Sequence, residues 1–212
     1  MTILSRNDQN GRSMVEMLGV LAIIGVLSVG GISGYSKAMA KFKLTKAQDQ
    51  ITMMLMNIRT AYATSPSYAG LTSSVAIDYN IAPGDMIMSS VALGNAFGGA
   101  AAVYSCADAG AETACIGNAA GSAQYFAVSM KNLGRDACIS LASSDWGSDG
   151  LIGMVVSNDG EGEEAPAGGG GEPAEPVSGS NFLASQMPLT LGQAASACGN
   201  RGSYSDVTWI YY

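Results

Sequence analysis

Histidine is absent from the 212-residue chain, which excludes Ser-His-Asp triads, His-ligated metal centres and His acid–base shuttles. Charge is also scarce: 13% of residues are Asp, Glu, Lys or Arg, against 48% hydrophobic. That balance is too apolar for a disordered chain and calls for a segment that lives outside water. Basic residues are nearly missing from one region, because from Pro66 onward only Lys131, Arg135 and Arg201 oppose fourteen acids. Such a surface repels phosphate backbones, so no nucleic-acid partner is expected there. The four cysteines, Cys106, Cys115, Cys138 and Cys198, form no CxxC pair, and without histidine beside them no zinc site is expected.

What the chain does have is a long apolar run. Met14 to Ile32 reads MVEMLGVLAIIGVLSVGGI, nineteen residues that rise about 28 Å as a helix, close to the ~30 Å hydrocarbon core of a bilayer. The first eleven residues, MTILSRNDQNG, are polar with a single Arg, and lack the basic start and small-residue cleavage site of a secretory signal. Glu16 is the only charge inside the run. An unpaired carboxylate in lipid costs roughly 2.5 to 3.5 kcal/mol or more, so it requires a partner or a purpose. The spelling Ser13-Met14-Val15-Glu16 also fits a capping box, and Arg12 with Glu16 an i, i+4 ion pair, so both residues also read as helix starters.

The arrangement of Gly11, Arg12 and Glu16 resembles a type IV prepilin. In that family a short polar leader ends in Gly, a dedicated prepilin peptidase cuts after it, and the fifth residue of the mature chain is Glu. Transferred to this chain, the resemblance makes residues 1–11 the leader, places the cut between Gly11 and Arg12, and makes Glu16 the fifth mature residue, with an assembly role. YSKAMAKFKLTK (Tyr35 to Lys46), NAFGG (Asn95 to Gly99) and FAVSMKNLGRDAC (Phe126 to Cys138) are similar to the type IVb branch. The chain departs from the family at Arg12, where a bulky apolar residue that becomes N-methylated is usual. Lys37, Lys41, Lys43 and Lys46 follow the span while Arg6 and Arg12 precede it. The positive-inside count therefore favours the opposite orientation, and the cleavage motif overrules it.

Beyond the run, Ala40, Leu44, Ala47, Ile51, Leu55, Ile58 and Tyr62 recur at three and four residues, with Met54 alongside. One helix over 12–65, its first half membrane-spanning, is expected to end before Pro66, because residues preceding proline avoid the helical region. Glycines 19, 25, 30, 31 and 34 weaken its front half. The head, 66–212, reads as α+β. Strands are predicted at Ala101–Ser105, Gln124–Met130, Leu151–Val156 and Asp206–Tyr212, and helices at Arg135–Ala142 and Leu191–Cys198, the latter capped by Thr190 and stopped by Gly199. Antiparallel strands packed on the rear of the long helix would bury its stripe. The acidic Gly/Pro-rich stretch 157–181 cannot form a core and is expected to be a surface loop. An exported head is oxidised. Of three possible connectivities, a local Cys106–Cys115 clip with a long Cys138–Cys198 bridge is expected, the second resembling the disulfide that bounds the variable carboxy-terminal region of type IV pilins.

The resemblance implies a structural subunit, with no catalytic residue, cofactor or metal. It would be held in the bacterial inner membrane as a precursor, processed by the prepilin peptidase, and polymerised by the pilus assembly machinery into an extracellular homo-oligomeric filament. A minor pilin or secretion-system pseudopilin shares the same amino-terminal motif. A membrane-tethered enzyme is the rival from another class, with Asp145, Asp149 and Asp206 as candidate acids, but their spacing forms no recognisable catalytic constellation.

Overall fold

The structure is a computed structural model that describes residues 10–106, 123–147, 149–160, 180–200 and 203–212. Leader residues 1–9, Cys115 and residues 161–179 of the expected loop lie outside them. The chain divides between Phe42 and Lys43 into two units. Helix α1 (Asn10–Ala61) supplies all the described residues of the first and opens the second.

In the first unit the glycines at 19, 25, 30, 31 and 34 do not interrupt α1. The helix begins upstream of Ser13, so Ser13 lies inside it and the capping-box reading of Ser13 and Glu16 fails. At its other end α1 stops at Ala61, short of the expected Ser65. Tyr62 N–H still makes an i to i−4 bond to Ile58 O at 2.9 Å, after which the chain tightens, with Ala63 N–H donating to Thr60 O at 3.4 Å and Ser65 N–H to Tyr62 O at 2.9 Å, ahead of Pro66.

The second unit is α+β, as expected: a six-stranded, wholly antiparallel sheet with helices on one face. After α1 come helix α2 (Ser73–Asp78), strand β1 (Leu93–Gly94), β2 (Ala100–Cys106), β3 (Tyr125–Gly134), α3 (Arg135–Ala142), β4 (Leu151–Gly160), β5 (Ser180–Leu183), α4 (Leu191–Ala197) and β6 (Tyr204–Tyr211). The strand order is β1-β2-β3-β6-β4-β5, so the last strand of the chain sits between β3 and β4. The expected loop 157–181 is corrected at both ends. Ser157–Gly160 extends β4 and Ser180–Asn181 begins β5, because backbone pairing with β6 and with β4 overrides their poor β-propensity.

Side chains alternate across the sheet with the period of two that a pleat imposes. Val103, Phe126, Val128, Met130, Met154, Val156, Val207, Trp209 and Tyr211 face α1, where they meet Ala47, Ile51, Met54 and Ile58. All four α1 residues are buried, and full burial of each large one contributes about 1.5–3 kcal/mol. Ala40, placed on this stripe by its spacing, is exposed, so the buried stripe begins at the half-buried Leu44. The opposite face carries a smaller cluster of Ala102, Tyr104, Cys106, Ala127, Val155 and Ile210. Here Thr208 Oγ1 donates across strands to Ser129 Oγ at 3.0 Å. An aromatic chain Tyr62–Tyr68–Phe126–Tyr211 and the edge-on Trp146–Trp209 pair complete the packing.

Candidate functional site

The front of α1 is the first candidate. Every residue from Met14 to Ile32 is exposed, and the helix holds an 18-residue window of mean hydropathy 2.2. In water such a surface would cost the full apolar hydration free energy, which marks it for lipid or for a partner helix. Two of its hydroxyls bond back to the helix, Ser28 Oγ donating to Ile24 O at 2.7 Å and Ser36 Oγ to Ile32 O at 3.0 Å. Glu16 is exposed, and among the described residues it has no hydrogen-bond or ion-pair partner. Gly11 and Arg12 lie within the helical span. The carboxylate in the apolar run is therefore not neutralised within the described chain.

The second candidate is the carboxy-terminal disulfide region. Cys138 on α3 and Cys198 at the end of α4 are bonded, with Cα atoms 6.0 Å apart and a sequence separation of 60. Cys106 is also disulfide-bonded; its expected partner, Cys115, lies outside the described residues. Helix α4 starts at its expected Thr190 cap, but it ends at Ala197 with Cys198 already extended, and Gly199 takes no left-handed conformation. Gln193 N–H donates to Thr190 Oγ1 at 3.4 Å and Thr190 N–H to Gln193 Oε1 at 3.0 Å, a reciprocal capping box. Its far end is held by Arg135, whose guanidinium donates to Gly199 O at 2.7 Å and Ala195 O at 3.3 Å. Ala195 O is one of the carbonyls that a helix terminus leaves unpaired, and Gly199 O belongs to the segment that follows. Gly199 N–H donates to Ser205 Oγ at 3.1 Å, and that hydroxyl donates to Asn158 Oδ1 at 2.9 Å, tying α4 to β4 and β6.

Three anchors of α1 escape a reading based on apolar spacing. Gln50 sits on the buried stripe at 3% exposure. Its Nε2 donates to Asp85 Oδ2 at 2.9 Å, and its Oε1 accepts from Ala96 N–H at 3.2 Å. Lys46 pairs with the same carboxylate at 3.1 Å. Burial alone would raise the Asp85 carboxyl, but the hydrogen bonds from Gln50 and Lys46 and the Lys46 charge outweigh it and hold the group below its ordinary value. Arg59 donates to Asp149 O at 2.7 Å and stands 5.6 Å from the Tyr211 ring centroid. The one available signal was a polar residue, Gln50, at a core position of the stripe. The NAFGG motif proves to be the β1–β2 turn. Asn95 Oδ1 accepts from Phe97 and Gly99 N–H at 2.9 and 3.1 Å, while its Nδ2 donates to Lys131 O at 2.8 Å.

The acids of the enzyme reading are not assembled. Asp145 Oδ1 accepts from Gly147 N–H at 2.9 Å in a local turn, Asp149 offers its backbone carbonyl to Arg59, and Asp206 accepts from Asn132 N–H at 2.9 Å on β6. A cleft of about 500 Å³ is lined by Tyr62, Tyr68, Tyr125 and Tyr212 with Ser and Gln, and no Asp or Glu lines it. Among the described residues no cluster of three or more Cys, Asp or Glu could hold a metal ion.

Comparison with known proteins places these features. A family model described as PilS N terminal matches residues 42–211. The major structural subunit of the bundle-forming pilus of Escherichia coli O127:H6 (strain E2348/69 / EPEC) is 23% identical over 210 residues, 98% of this chain and 97% of that protein. Among solved structures, a type IVb pilin from Salmonella typhi is 17% identical, with 81% of this chain and 98% of that one covered at a TM-score of 0.48. TcpA, a type IV pilin from Vibrio cholerae El Tor biotype, is 15% identical, with 80% and 99% covered at a TM-score of 0.46.

Proposed function

Because the chain belongs to the family described as PilS N terminal, we propose that it is the structural subunit of a type IVb-like pilus, made as a precursor and polymerised into an extracellular filament. Its role is structural and not enzymatic. The leader, residues 1–11, is removed after Gly11 by a prepilin peptidase, leaving Arg12 as the first residue and Glu16 as the fifth. Before assembly the subunit is held in the inner membrane by Met14–Ile32, and the pilus assembly machinery then extracts it. The relative's role as a major structural subunit supports the major-subunit reading over a minor pilin or pseudopilin, and the protein's abundance in sheared surface material separates them.

The observation that carries this reading is Glu16: an exposed carboxylate without a partner among the described residues, inside an otherwise uncharged apolar helix face. Cleavage after Gly11 creates an ammonium group at Arg12, and in a bundle of such helices that group neutralises Glu16 of a neighbour, offsetting the desolvation of both. The test is Glu16→Gln. Gln keeps the size and the hydrogen-bonding capacity but leaves the neighbour's ammonium buried and uncompensated, at a cost of roughly 3 to 5 kcal/mol. The mutant should be cleaved normally, as read by its mature mass, yet accumulate unassembled in the membrane. Normal piliation by a correctly processed Glu16→Gln protein would falsify the assembly role.

A further inference from the structure

The four lysines after the apolar run, Lys37, Lys41, Lys43 and Lys46, are given no role by the cleavage and docking proposed above, and by charge count they stand on the unexpected side of the membrane. Between Glu16 and Lys37 the chain has no charged residue. Those twenty positions rise about 30 Å as a helix, one hydrocarbon thickness. Lys37 therefore falls at the far boundary of the core, with Lys41 about 6 Å and Lys43 about 9 Å beyond it. A headgroup layer is about 5–8 Å deep on each side, helix side chains lean back toward the amino terminus, and lysine stems reach further still. All three ammonium groups thus come within the layer or within one Debye length, about 8 Å, of it.

Their disposition distinguishes lipid from protein as the partner. At about 100° per residue, Lys37 and Lys41 share one side of α1, Lys43 lies about 120° round from Lys37, and Tyr35 and Phe42 occupy the side opposite Lys37. Lys37, Lys41 and Lys43 are exposed, as are Tyr35 at 67% and Phe42 at 61%. Among the described residues none of these three lysines has an acidic partner, whereas Lys46 is already paired with Asp85. A flat protein surface can collect only one side of a helix. A headgroup layer surrounds a spanning helix, and it also favours aromatic rings at the same level.

We propose that Lys37, Lys41 and Lys43 form a collar that binds anionic phospholipid headgroups in the leaflet facing away from the cytoplasm, fixing the depth of the subunit before assembly. This rests on the membrane-spanning reading of α1 given above. The test uses the full chain in phosphatidylcholine vesicles, with spin-labelled phosphatidylglycerol and spin-labelled phosphatidylcholine as probes of the lipid held against the protein. The wild type should prefer the anionic probe, with a factor of up to about five per lysine, and lose most of that preference at high salt. The Lys37→Gln/Lys41→Gln/Lys43→Gln variant should show parity, and replacement of all three by Arg should restore the preference. Retention of selectivity by the Gln variant, or its absence in a wild type that resists alkaline carbonate extraction, overturns the collar and leaves the span intact. Release of the wild type by carbonate removes the span and the collar with it. If the Gln changes instead abolish subunit co-sedimentation without altering lipid selectivity, an acidic neighbouring head is the partner and the lipid proposal falls.

Discussion

Removing the Cys138–Cys198 bridge tests how the head holds its carboxy-terminal region. Both sulfurs are buried, and the bond closes a sequence separation of 60. In the chain-entropy relation that loop removes about 14 cal/mol/K from the unfolded ensemble, or about 4 kcal/mol at 25 °C. The double change Cys138→Ala/Cys198→Ala avoids burying new hydroxyls. Arg135, Ser205 and Asn158 still hold the end of α4 in the folded state, so the loss falls mainly on the unfolded side of the equilibrium. For a unit the size of residues 43–212, 4 kcal/mol corresponds to a fall in Tm of about 8–16 °C. The chain's two tryptophans report the head alone even in detergent, because Trp146 and Trp209 are paired there with ring centroids 4.9 Å apart. Thermal scans of their fluorescence on the full chain measure the shift. Cys106→Ala, if it opens the short bridge expected with Cys115, should cost about 3 kcal/mol and move Tm less. Equal shifts for the two changes, or a fall of only a degree or two for the double variant, would refute the entropic account of the long bridge.

Three other outcomes are expected. Gly11→Val places a β-branched side chain beside the proposed scissile bond, so the leader should remain attached; a mature mass beginning at Arg12 would show that cleavage does not depend on Gly at that position. Gly99→Ala drives a methyl group onto the Lys131 carbonyl oxygen and to 2.7 Å from Asn132 Cβ, and because backbone cannot step aside it should destabilise the head by about 1–3 kcal/mol in a melt, whereas Gly84→Ala, with nothing within 4 Å of the new atom, should not. Asp85 has its folded pKa lowered from the ordinary 3.8, so its contribution is fully present above that value and fades as pH falls through the lower folded one; as the carboxylate is 45% exposed, the acid-side loss should be under about 1 kcal/mol and absent in Asp85→Asn.

Local chemistry made much of this protein readable in one dimension. The uncharged stretch before Lys37, the isolated Glu16 and the Gly11–Glu16 spacing are covalent facts, and the membrane reading follows from length and solvation alone. Helices α3 and α4 were visible because their signals are near neighbours: the Thr190 cap lies directly before α4, although the helix ends by Cys198 turning extended rather than by a left-handed Gly199. The stripe Ala47, Ile51, Met54 and Ile58 was equally plain, since helical periodicity is set by the backbone itself. Other features depend on contacts between distant residues. Nothing local to Tyr204–Tyr211 says that it enters the sheet between β3 and β4, and nothing in Ser157–Gly160 or Ser180–Asn181 marks them as strand until β6 and β4 supply hydrogen-bond partners. Gln50 stands at a core position of the stripe, but its polar partners are unknown until the Asp85 turn and Ala96 close around it. Lys46 likewise differs from Lys37, Lys41 and Lys43 only because folding brings a carboxylate to it. Periodicity and solvation therefore determined which segments are helix, candidate span and core, while strand order and the choice of polar partners waited on the tertiary structure, because hydrogen-bond pairing between segments is selected only after the chain has brought them together.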